Sequence, residues 1–322
     1  MRKIRLRLWS AVLSAAMLLC AAGCTPGAGP AEPSDSAVAV LTIGTADSGG
    51  TMYPVGSAIA EVLQREDRKI NVSASSGSAM NAMDVVSGEV DLALVAGDTA
   101  QAVYEEEQGR GSSLRAVGAV FFSQSNWLTA EASGAEYVHD LKGLRLGIGP
   151  EYSTSELSAL AALEGVGLDR EETATENCGL GAGVDKVLRG ELDAIHGFSG
   201  APVSALAELA EKLPCRVLKY TPEELDNILA GNEAFAPAVL PAGTYRGQQE
   251  DVATFGVKCL LCVDESMDEE LVYRLTGDLW NSRAELGAAH ASMRAMEDGD
   301  FVREELPIPL HSGAERFYRE IG

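Results

Sequence analysis

Residues 41–54 read LTIGTADSGGTMYP and continue into an apolar segment with helical periodicity, 55–63. An apolar run, a bend rich in glycine and hydroxyl groups, and a proline near the opening of a periodic segment predict a strand, a loop and a helix. Such a loop directs backbone N–H groups outward, and Gly49 and Gly50 let a ligand approach the backbone. The stretch predicts an anion-binding loop. The alternative is an ordinary strand-to-helix turn.

Two later stretches have the same construction. Residues 72–78 read VSASSGS and precede a helical segment at 79–86, and residues 144–155 read LRLGIGPEYSTS and lead into another at 156–163. Three hydroxyl-rich helix starts suggest one shared pocket. None of them has the Gly-Lys-Ser/Thr ending of a phosphate loop or continues as a dinucleotide fingerprint, so nucleotide binding is a poor fit.

Short apolar runs alternate with helical patterns along the rest of the chain, which is typical of α/β construction. We predict strands at residues 41–44, 70–75, 92–95, 114–121, 127–130, 144–148, 194–198, 217–220 and 252–263. Two near copies, GEVDLA at 88–93 and GELDAI at 190–195, each end a helix and enter a strand. This pairing suggests two lobes on one plan, with chain crossings near 131–140 and 252–264.

Several short motifs follow one another in order from about Leu41 to the last residue. They are Ile43-Gly44-Thr45, Gly49 to Pro54, Gly77-Ser78 with Asn81, Ser87 to Ala93, Asp140 to Gly143, Pro241 to Gln248, and Leu306 to Arg316. The ordered set resembles the TAXI family, the extracytoplasmic solute receptors of TRAP-type secondary transporters. Met52 departs from the usual aromatic residue, Ser75-Ser76 replaces a Thr-Gly pair, and residues 150–155 follow the family pattern only loosely.

The resemblance implies an α/β, two-lobed periplasmic-binding-protein type II-like fold with a hinge and an inter-lobe cleft. Residues 39–135 and 255–322 would form lobe 1, and residues 136–254 would form lobe 2. The implied function is capture of a small carboxylate or amino acid, such as glutamate, glutamine or 2-oxoglutarate, for delivery to TRAP transporter membrane subunits. The resemblance implies no cofactor, no metal and no enzymatic activity.

The N-terminal segment has the pattern of a targeting signal. Four basic residues occur in the first seven positions, residues 8–19 are mostly apolar, and AAGC follows at 21–24. This pattern predicts a lipoprotein signal peptide over residues 1–23, acylation of Cys24, and a lipid-anchored location outside the bacterial cell membrane. Residues 24–38, rich in Pro, Gly, Ala and Ser, predict a flexible tether. The alternatives are plain secretion after cleavage nearby, or an uncleaved membrane anchor.

The chain is strongly acidic, with 48 Asp and Glu residues against 25 Lys and Arg and a net charge of −23. Removal of residues 1–23 would make this charge more negative, because that segment carries only positive charges. Nucleic-acid binding is disfavoured, because phosphate contacts require a basic surface. We attribute the acidity to solubility at a cell surface.

Cysteine and histidine spacing gives little support for metal chemistry. The sequence CLLC at 259–262 has the spacing of a zinc or redox motif, but residues three apart on a strand point to opposite faces. We interpret it as a buried, chemically idle pair; a Cys178–Cys215 disulfide in an oxidising compartment stays open. His196 precedes the turn 197–200, which we expect to face the cleft, although a purely structural histidine is the alternative.

We expect the ligand-binding residues to come mainly from the three helix-start loops. The candidates are Thr45, Asp47, Ser48, Gly49, Gly50, Thr51, Tyr53, Ser76, Gly77, Ser78, Asn81, Ser153, Thr154, Ser155, Glu156, His196 and Tyr245. Residues 42–54, 73–81 and 147–156 contain no Lys or Arg, so helix N-termini and hydroxyl groups would hold a carboxylate in place of an arginine clamp.

Three further roles follow for side chains near these loops. Tyr53 and Tyr245 would serve as walls or hydrogen-bond donors, and Asp47 or Glu156 could receive an ammonium group of the ligand. An ammonium site would favour an amino acid over a dicarboxylate, and Arg246 is the one nearby cation that could reverse this preference.

Two other functions remain open from the sequence. An enzyme on the same scaffold would need a general acid or base in the cleft, for which Glu156 and His196 are the candidates. An accessory ligand-binding partner of a membrane sensor is the third function.

We expect Cys24→Ser to yield unprocessed or unlipidated protein with unchanged ligand affinity, because the predicted tether separates the anchor from the lobes. Membrane fractionation and titration calorimetry of both forms measure the two properties. Equal membrane retention of the variant contradicts the lipoprotein interpretation.

Overall fold

The computed structural model describes residues 39–65, 67–107, 113–151, 153–169 and 171–322. The predicted signal peptide, the lipidation site Cys24 and the tether up to residue 38 lie outside the described residues. Within them, no helix is long and apolar enough to cross a bilayer.

The described strands form one mixed sheet. They are β1 (Ala39–Gly44), β2 (Arg68–Ser73), β3 (Leu92–Ala96), β4 (Leu114–Ala130), β5 (Arg145–Gly147), β6 (Ala174–Glu176), β7 (Ala194–Ser199), β8 (Cys215–Val217), β9 (Ala236–Leu240) and β10 (Val252–Asp264). The order is β2-β1-β3-β10-β4-β7-β5-β6, while β8 pairs with β4 and β9 pairs with β10. Two parallel groups, β2-β1-β3 and β7-β5-β6, therefore flank the long antiparallel pair β4 and β10.

The helices cover both faces of this sheet. They are α1 (Met52–Leu63), α2 (Ser78–Ser87), α3 (Gly97–Glu107), α4 (Thr154–Gly165), α5 (Leu180–Leu188), α6 (Ser204–Lys212), α7 (Pro222–Gly231), α8 (Glu269–Asn281), α9 (Arg283–Ala289), α10 (Gly299–Arg303) and α11 (Ser312–Ile321). Short 3₁₀ segments lie at Glu131–Ser133, Val138–Leu141 and Ala291–Glu297. The helix at the first loop begins at Met52, two residues before the proline that predicts it.

Hydrophobic side chains pack in two regions, one at each end of the sheet. At the β1 end, α1, α8, α9 and α11 pack on one face, and α2 and α3 pack on the other. At the β7 end, α4 and α7 cover one face, and α5 and α6 cover the other. Each region buries apolar surface on both faces of its parallel strands, as parallel sheets require.

Strand β4 differs from the prediction. The sequence predicts two strands, 114–121 and 127–130, separated by a polar loop, but residues 114–130 form one continuous strand. The intervening Ser123, Gln124, Ser125 and Asn126 are buried. They are tolerated because most of their polar groups find partners; the Asn126 amide, for example, donates to the Gln124 carbonyl at 2.7 Å.

The chain passes between the two packing regions inside β4, earlier than the predicted segment 131–140. Phe121 belongs to the first region, whereas Trp127 and Leu128 pack in the second. The return passage lies within β10, because Val257 packs in the second region and Cys259 in the first.

The two copies of the Gly-Glu-x-Asp motif have the same structural role. Gly88 and Gly190 have φ of 77° and 71°, left-handed values that glycine adopts without strain. The following aspartates, Asp91 and Asp193, accept backbone N–H bonds from Thr42 at 2.7 Å and Arg145 at 2.8 Å. Each motif thus ties the start of a parallel strand to the strand beside it.

Some strand predictions differ from the structure, whereas the prediction for the cysteine pair agrees with it. The strand predicted at 217–220 occupies 215–217, and β6 and β9 have no counterpart in the prediction. Cys259 and Cys262 are fully buried in separate hydrophobic clusters, which agrees with an idle pair. The described cysteines are free thiols, including Cys178 and Cys215.

We expect Gly256→Ala to lower the free energy of unfolding by about 3 kcal/mol or more, because overpacking against backbone leaves little room to relax. A Cβ at this position of β10 would lie 2.1 Å from the Ser123 carbonyl oxygen. Gly231→Ala is the control, because its Cβ would meet no atom within 4 Å. Urea denaturation compares the two, and equal stability contradicts the tight β4–β10 contact.

Candidate functional site

A small cavity of about 80 Å³ lies where the starts of several helices meet. It has room for only a handful of water molecules, so it suits a small solute. Its lining consists of Ala46, Asp47, Gly50, Thr51, Met52, Ser76, Gly77, Ser78, Pro150, Ser153, Thr154, Ser155, Gly179, Leu180, Phe198 and Ser199.

Four helix N-termini border this cavity. The N-cap residues are Thr51 for α1, Gly77 for α2, Ser153 for α4 and Gly179 for α5, and all four line the cavity. The first N–H groups of a helix have no partner within the helix, and the helix dipole adds a partial positive charge there. The cavity is therefore surrounded by groups that favour an anion.

Asp47 is the one charged residue among the described residues of the lining. Its Oδ1 accepts the Gly49 N–H at 2.8 Å, which closes a turn in the first loop. No Lys or Arg occurs in the described lining, so a ligand carboxylate there would meet backbone N–H and hydroxyl groups instead of a guanidinium.

Several lining hydroxyls already make hydrogen bonds within the protein. Ser153 Oγ donates to the Pro150 carbonyl at 2.7 Å and accepts the Glu156 N–H at 3.2 Å as the cap of α4. Ser155 Oγ accepts the Phe198 N–H at 3.2 Å. These hydroxyls shape the helix start, so their contribution to a ligand is largely indirect.

Ser78 is placed differently. Its Oγ accepts the Ala96 N–H at 3.0 Å, and the described residues offer no acceptor for its hydroxyl proton. Ser76 is exposed at the rim and makes no side-chain hydrogen bond with the described residues. Both hydroxyls are therefore available as donors to a bound solute.

The first loop contacts the segment after β7 directly. Thr51 Oγ1 donates to the Gly200 carbonyl at 2.5 Å, and the Ala205 N–H donates to the Gly49 carbonyl at 3.1 Å. These bonds join the two sides of the cavity directly. The Thr51 hydroxyl is engaged in this contact, in contrast to the predicted role as a ligand donor.

The structure brings more than half of the predicted ligand-binding residues into the cavity wall. The predicted residues that line it are Asp47, Gly50, Thr51, Ser76, Gly77, Ser78, Ser153, Thr154 and Ser155. The predicted residues outside the lining are Thr45, Ser48, Gly49, Tyr53, Asn81, Glu156, His196 and Tyr245. The assignment of the first group to a ligand stays a prediction.

Thr45 and Asn81 lie behind the cavity wall. Thr45 Oγ1 donates to the Ser73 carbonyl at 2.8 Å, and Asn81 Nδ2 donates to the carbonyls of Thr45 and Leu94 at 2.7 Å each. Both side chains are fully buried. They hold β1, β2 and β3 together beneath the first two loops, which corrects their predicted role as ligand contacts.

The predicted aromatic walls are also corrected. Tyr53 points toward solvent from α1 and is 36% exposed. Tyr245 is buried; its hydroxyl donates to Asn126 Oδ1 at 2.7 Å and accepts the Val203 N–H at 3.1 Å. Tyr245 therefore supports the segment after β7 from behind. Arg246 lies on the surface beside Glu211, 3.0 Å from its Oε2, outside the cavity.

Neither residue proposed for acid–base chemistry reaches the cavity wall. Glu156 is buried within the first turn of α4. His196 is fully buried; its Nε2 lies 3.0 Å from Ser125 Oγ and its Nδ1 lies 3.0 Å from the Ser155 carbonyl oxygen. Burial lowers the pKa of His196 to about 3, so the imidazole is neutral at physiological pH. Ser48 is exposed on the first loop, whereas Gly49 is half-buried and its carbonyl accepts the Ala205 N–H.

The contribution of α5 to the cavity is not apparent from the sequence. Gly179 and Leu180 follow β6, a strand of three residues that has no clear apolar pattern. Leu180 and Phe198 are apolar residues of the lining, and Ser199 Oγ accepts the Thr51 N–H at 3.3 Å. The predicted turn 197–200 was the available signal for the last two.

A larger groove of about 570 Å³ lies elsewhere, between α4 and α7. Glu164, Glu223 and Glu224 line it, and Glu224 also caps α7. Within the described ranges, no group of three or more His, Cys, Asp or Glu residues could hold a metal ion. The small cavity is therefore the better candidate for solute binding.

Solved structures with a similar fold include a protein from Bordetella bronchiseptica RB50, with 17% identity over 87% of this chain and 89% of that chain and a TM-score of 0.50. The periplasmic aliphatic sulphonate binding protein SsuA from Escherichia coli has 17% identity over 88% and 83%, with a TM-score of 0.47. An ancestral arginine-binding protein bound to arginine has 14% identity over 79% and 97%, with a TM-score of 0.46.

At these identities the likeness concerns the fold alone. The α/β class of the fold is as predicted, and the arrangement of its mixed sheet and helices is similar to that of the Bordetella bronchiseptica protein. Residues 43–322 match the NMT1-like family, and the protein belongs to that family.

We expect the stability of the protein to fall with decreasing pH between about 6.5 and 3 because of His196. The unfolded chain binds a proton on this imidazole below pH 6.5, whereas the folded chain resists protonation until about pH 3. The expected contribution is about 1.4 kcal/mol per pH unit in this window. Urea denaturation of wild type and His196→Gln at several pH values measures the difference. Equal pH slopes contradict a buried neutral histidine.

Proposed function

We propose that this protein is an extracytoplasmic receptor that captures a small carboxylate or amino acid and delivers it to a TRAP-type secondary transporter. The observation that carries the proposal is the convergence of four helix N-termini on one small cavity whose described lining has no cation. The family match and the ordered TAXI motifs support the receptor class. Glutamate, glutamine and 2-oxoglutarate are the candidate ligands by that resemblance.

The energetics of the site suit a carboxylate. Each helix N-terminus contributes on the order of 0.3 to 1 kcal/mol to a nearby negative charge when exposed, and up to about 2 kcal/mol when partly buried. Four such ends, with the hydroxyls of Ser76 and Ser78 as donors, offset desolvation of the anion without a formal positive charge. An apolar wall of Leu180 and Phe198 would lie along the carbon chain of the solute.

Asp47 gives the site a preference among carboxylates. Its carboxylate lies in the wall of the cavity, on the first loop, where an anionic second group of the ligand would be repelled and an ammonium group attracted. We therefore favour an amino acid over the corresponding 2-oxo acid, such as 2-oxoglutarate, which has no ammonium group. The acid–base alternative has less support, since Glu156 and His196 lie outside the lining.

The same proposal includes motion and anchoring. The two packing regions would move as two lobes about β4 and β10, with the cavity between them. The bonds from Thr51 to Gly200 and from Ala205 to Gly49 suit the closed form. Acylated Cys24 and the tether would hold the receptor at the outer side of the cell membrane.

We expect Ser78→Ala to weaken carboxylate binding by about 1 to 3 kcal/mol, because it removes a hydrogen bond to a charged group. Arg246→Ala should change affinity little, because Arg246 lies on the surface beside Glu211. Titration calorimetry with L-glutamate, L-glutamine and 2-oxoglutarate measures both variants. The unmodified ligand should be recovered afterwards.

Asp47→Asn is the matched variant for the amino group. It should weaken L-glutamate binding while leaving or improving the affinity for 2-oxoglutarate, which lacks the ammonium group. Loss of binding in Arg246→Ala with unchanged Ser78→Ala contradicts the helix-terminus mechanism. Turnover of any of the three compounds contradicts the receptor function.

A further inference from the structure

A buried chain of hydrogen bonds ends at the start of α4. Tyr220 hydroxyl lies 2.9 Å from Ser125 Oγ, which lies 3.0 Å from His196 Nε2. On the other side of the ring, His196 Nδ1 lies 3.0 Å from the carbonyl oxygen of Ser155. All of these side chains are buried, while Ser155 itself lines the cavity.

The chemistry of the groups fixes the direction of this chain. A backbone carbonyl only accepts hydrogen bonds, so His196 Nδ1 must carry the proton that is donated to Ser155. The neutral ring then presents Nε2 as an acceptor, and the Ser125 hydroxyl must donate to it. Ser125 Oγ is left to accept the Tyr220 hydroxyl proton. Each donor in the chain therefore points toward α4.

This chain of hydrogen bonds connects several strands and loops to the first turn of α4. Ser125 lies in β4, His196 in β7, and Tyr220 just before α7. The Thr254 hydroxyl of β10 donates to the Ser125 carbonyl at 2.9 Å, and the Trp127 ring lies against His196 with centroids 4.6 Å apart. The donor to Ser155 is thus held rigidly by its surroundings.

Ser155 is held at a second point. Its hydroxyl accepts the Phe198 N–H at 3.2 Å, so both its carbonyl and its side chain are bonded to β7. Ser155 is the second residue of α4, and Thr154 and Ser155 line the cavity beside the cap Ser153. A lateral bond from a strand to this turn fixes the direction in which the N–H groups of the turn point.

We propose that His196, as the neutral Nδ1–H tautomer, is a positioning residue that fixes the first turn of α4 as an anion donor, through the chain Tyr220, Ser125, His196, Ser155. The functional part of this inference rests on the proposed function. The structural part, the tautomer and the restraint on α4, is measurable without a ligand.

The tautomer is tested by long-range ¹H–¹⁵N spectra of the full-length protein labelled at histidine nitrogens, at pH 7.5. We expect one histidine, absent from the spectrum of His196→Gln, to have a protonated Nδ1 and an unprotonated Nε2. A protonated Nε2 with a bare Nδ1 overturns the proposal, because the ring could not donate to Ser155.

Two variants of His196 distinguish the hydrogen bond made by Nδ1 from the one made by Nε2. The amide nitrogen of asparagine lies near the place of Nδ1, so His196→Asn retains a donor to Ser155, whereas the glutamine amide lies near the place of Nε2 and loses that bond. Glutamine is closer to histidine in size, so a packing role alone predicts that His196→Gln is the milder change. We expect the reverse.

Amide hydrogen exchange of residues 153–160 provides the readout. We expect exchange at least tenfold faster in His196→Gln than in His196→Asn, with Leu163→Ala as the control for general destabilisation, because Leu163 is buried in the same helix away from this chain. Equal rates in both histidine variants, or rates no faster than in Leu163→Ala, overturn the proposal.

Affinity for L-glutamate, measured by calorimetry on the same variants, tests the functional part of the inference. A dissociation constant raised about tenfold more in His196→Gln than in His196→Asn supports the positioning role. If the exchange rates follow the expected pattern but no form binds L-glutamate, the proposed ligand is wrong. The restraint on α4 is then still supported. Normal binding with equal dissociation constants in both variants overturns the functional part of the inference.

Discussion

A helix that follows a parallel strand begins at the carboxyl edge of the sheet, and this constraint organises the whole molecule. The helices α1 and α2 follow β1 and β2, whereas α4 and α5 follow β5 and β6. The antiparallel pair β4 and β10 carries the chain between the two parallel groups. The starts of all four helices consequently meet at one cavity, although they lie far apart in sequence.

Buried polar side chains hold the loops and strands around the cavity in place. Thr45, Asn81 and Tyr245 were candidates for ligand contact, yet each bonds to protein groups that hold a loop or strand in place. Because a buried polar group without a partner costs free energy, these residues satisfy the protein before any ligand. In the proposed receptor, recognition would be left mainly to backbone N–H groups and to a few hydroxyls, such as those of Ser76 and Ser78.

Much of the architecture could be predicted because its signals are local. Alternating apolar runs indicate the strands, three hydroxyl-rich loops indicate three of the helix starts, and the paired motif at Gly88 and Gly190 indicates a repeated plan. Strand β4 was divided in the prediction because its central residues are polar, and their burial depends on partners distant in sequence. The start of α5 was missed because β6 is short and polar.

The individual site residues were harder to predict, for a physical reason. A Ser or Thr in a loop has the same sequence appearance whether its hydroxyl faces a solute or a carbonyl group. Thr51 bonds to Gly200 and His196 bonds to Ser155, and both partners lie more than forty residues away. Only the tertiary structure distinguishes such a hydroxyl or imidazole from one that is free to bind a ligand.

The central claim is that four helix N-termini, without a cation, bind the carboxylate of a small solute. A crystal structure of the protein grown with L-glutamate tests it most directly. The account predicts carboxylate oxygens about 3 Å from first-turn backbone nitrogens of α1, α2, α4 or α5, with the ammonium group near Asp47. A carboxylate paired with a lysine or arginine, or a solute bound outside this cavity, would contradict it.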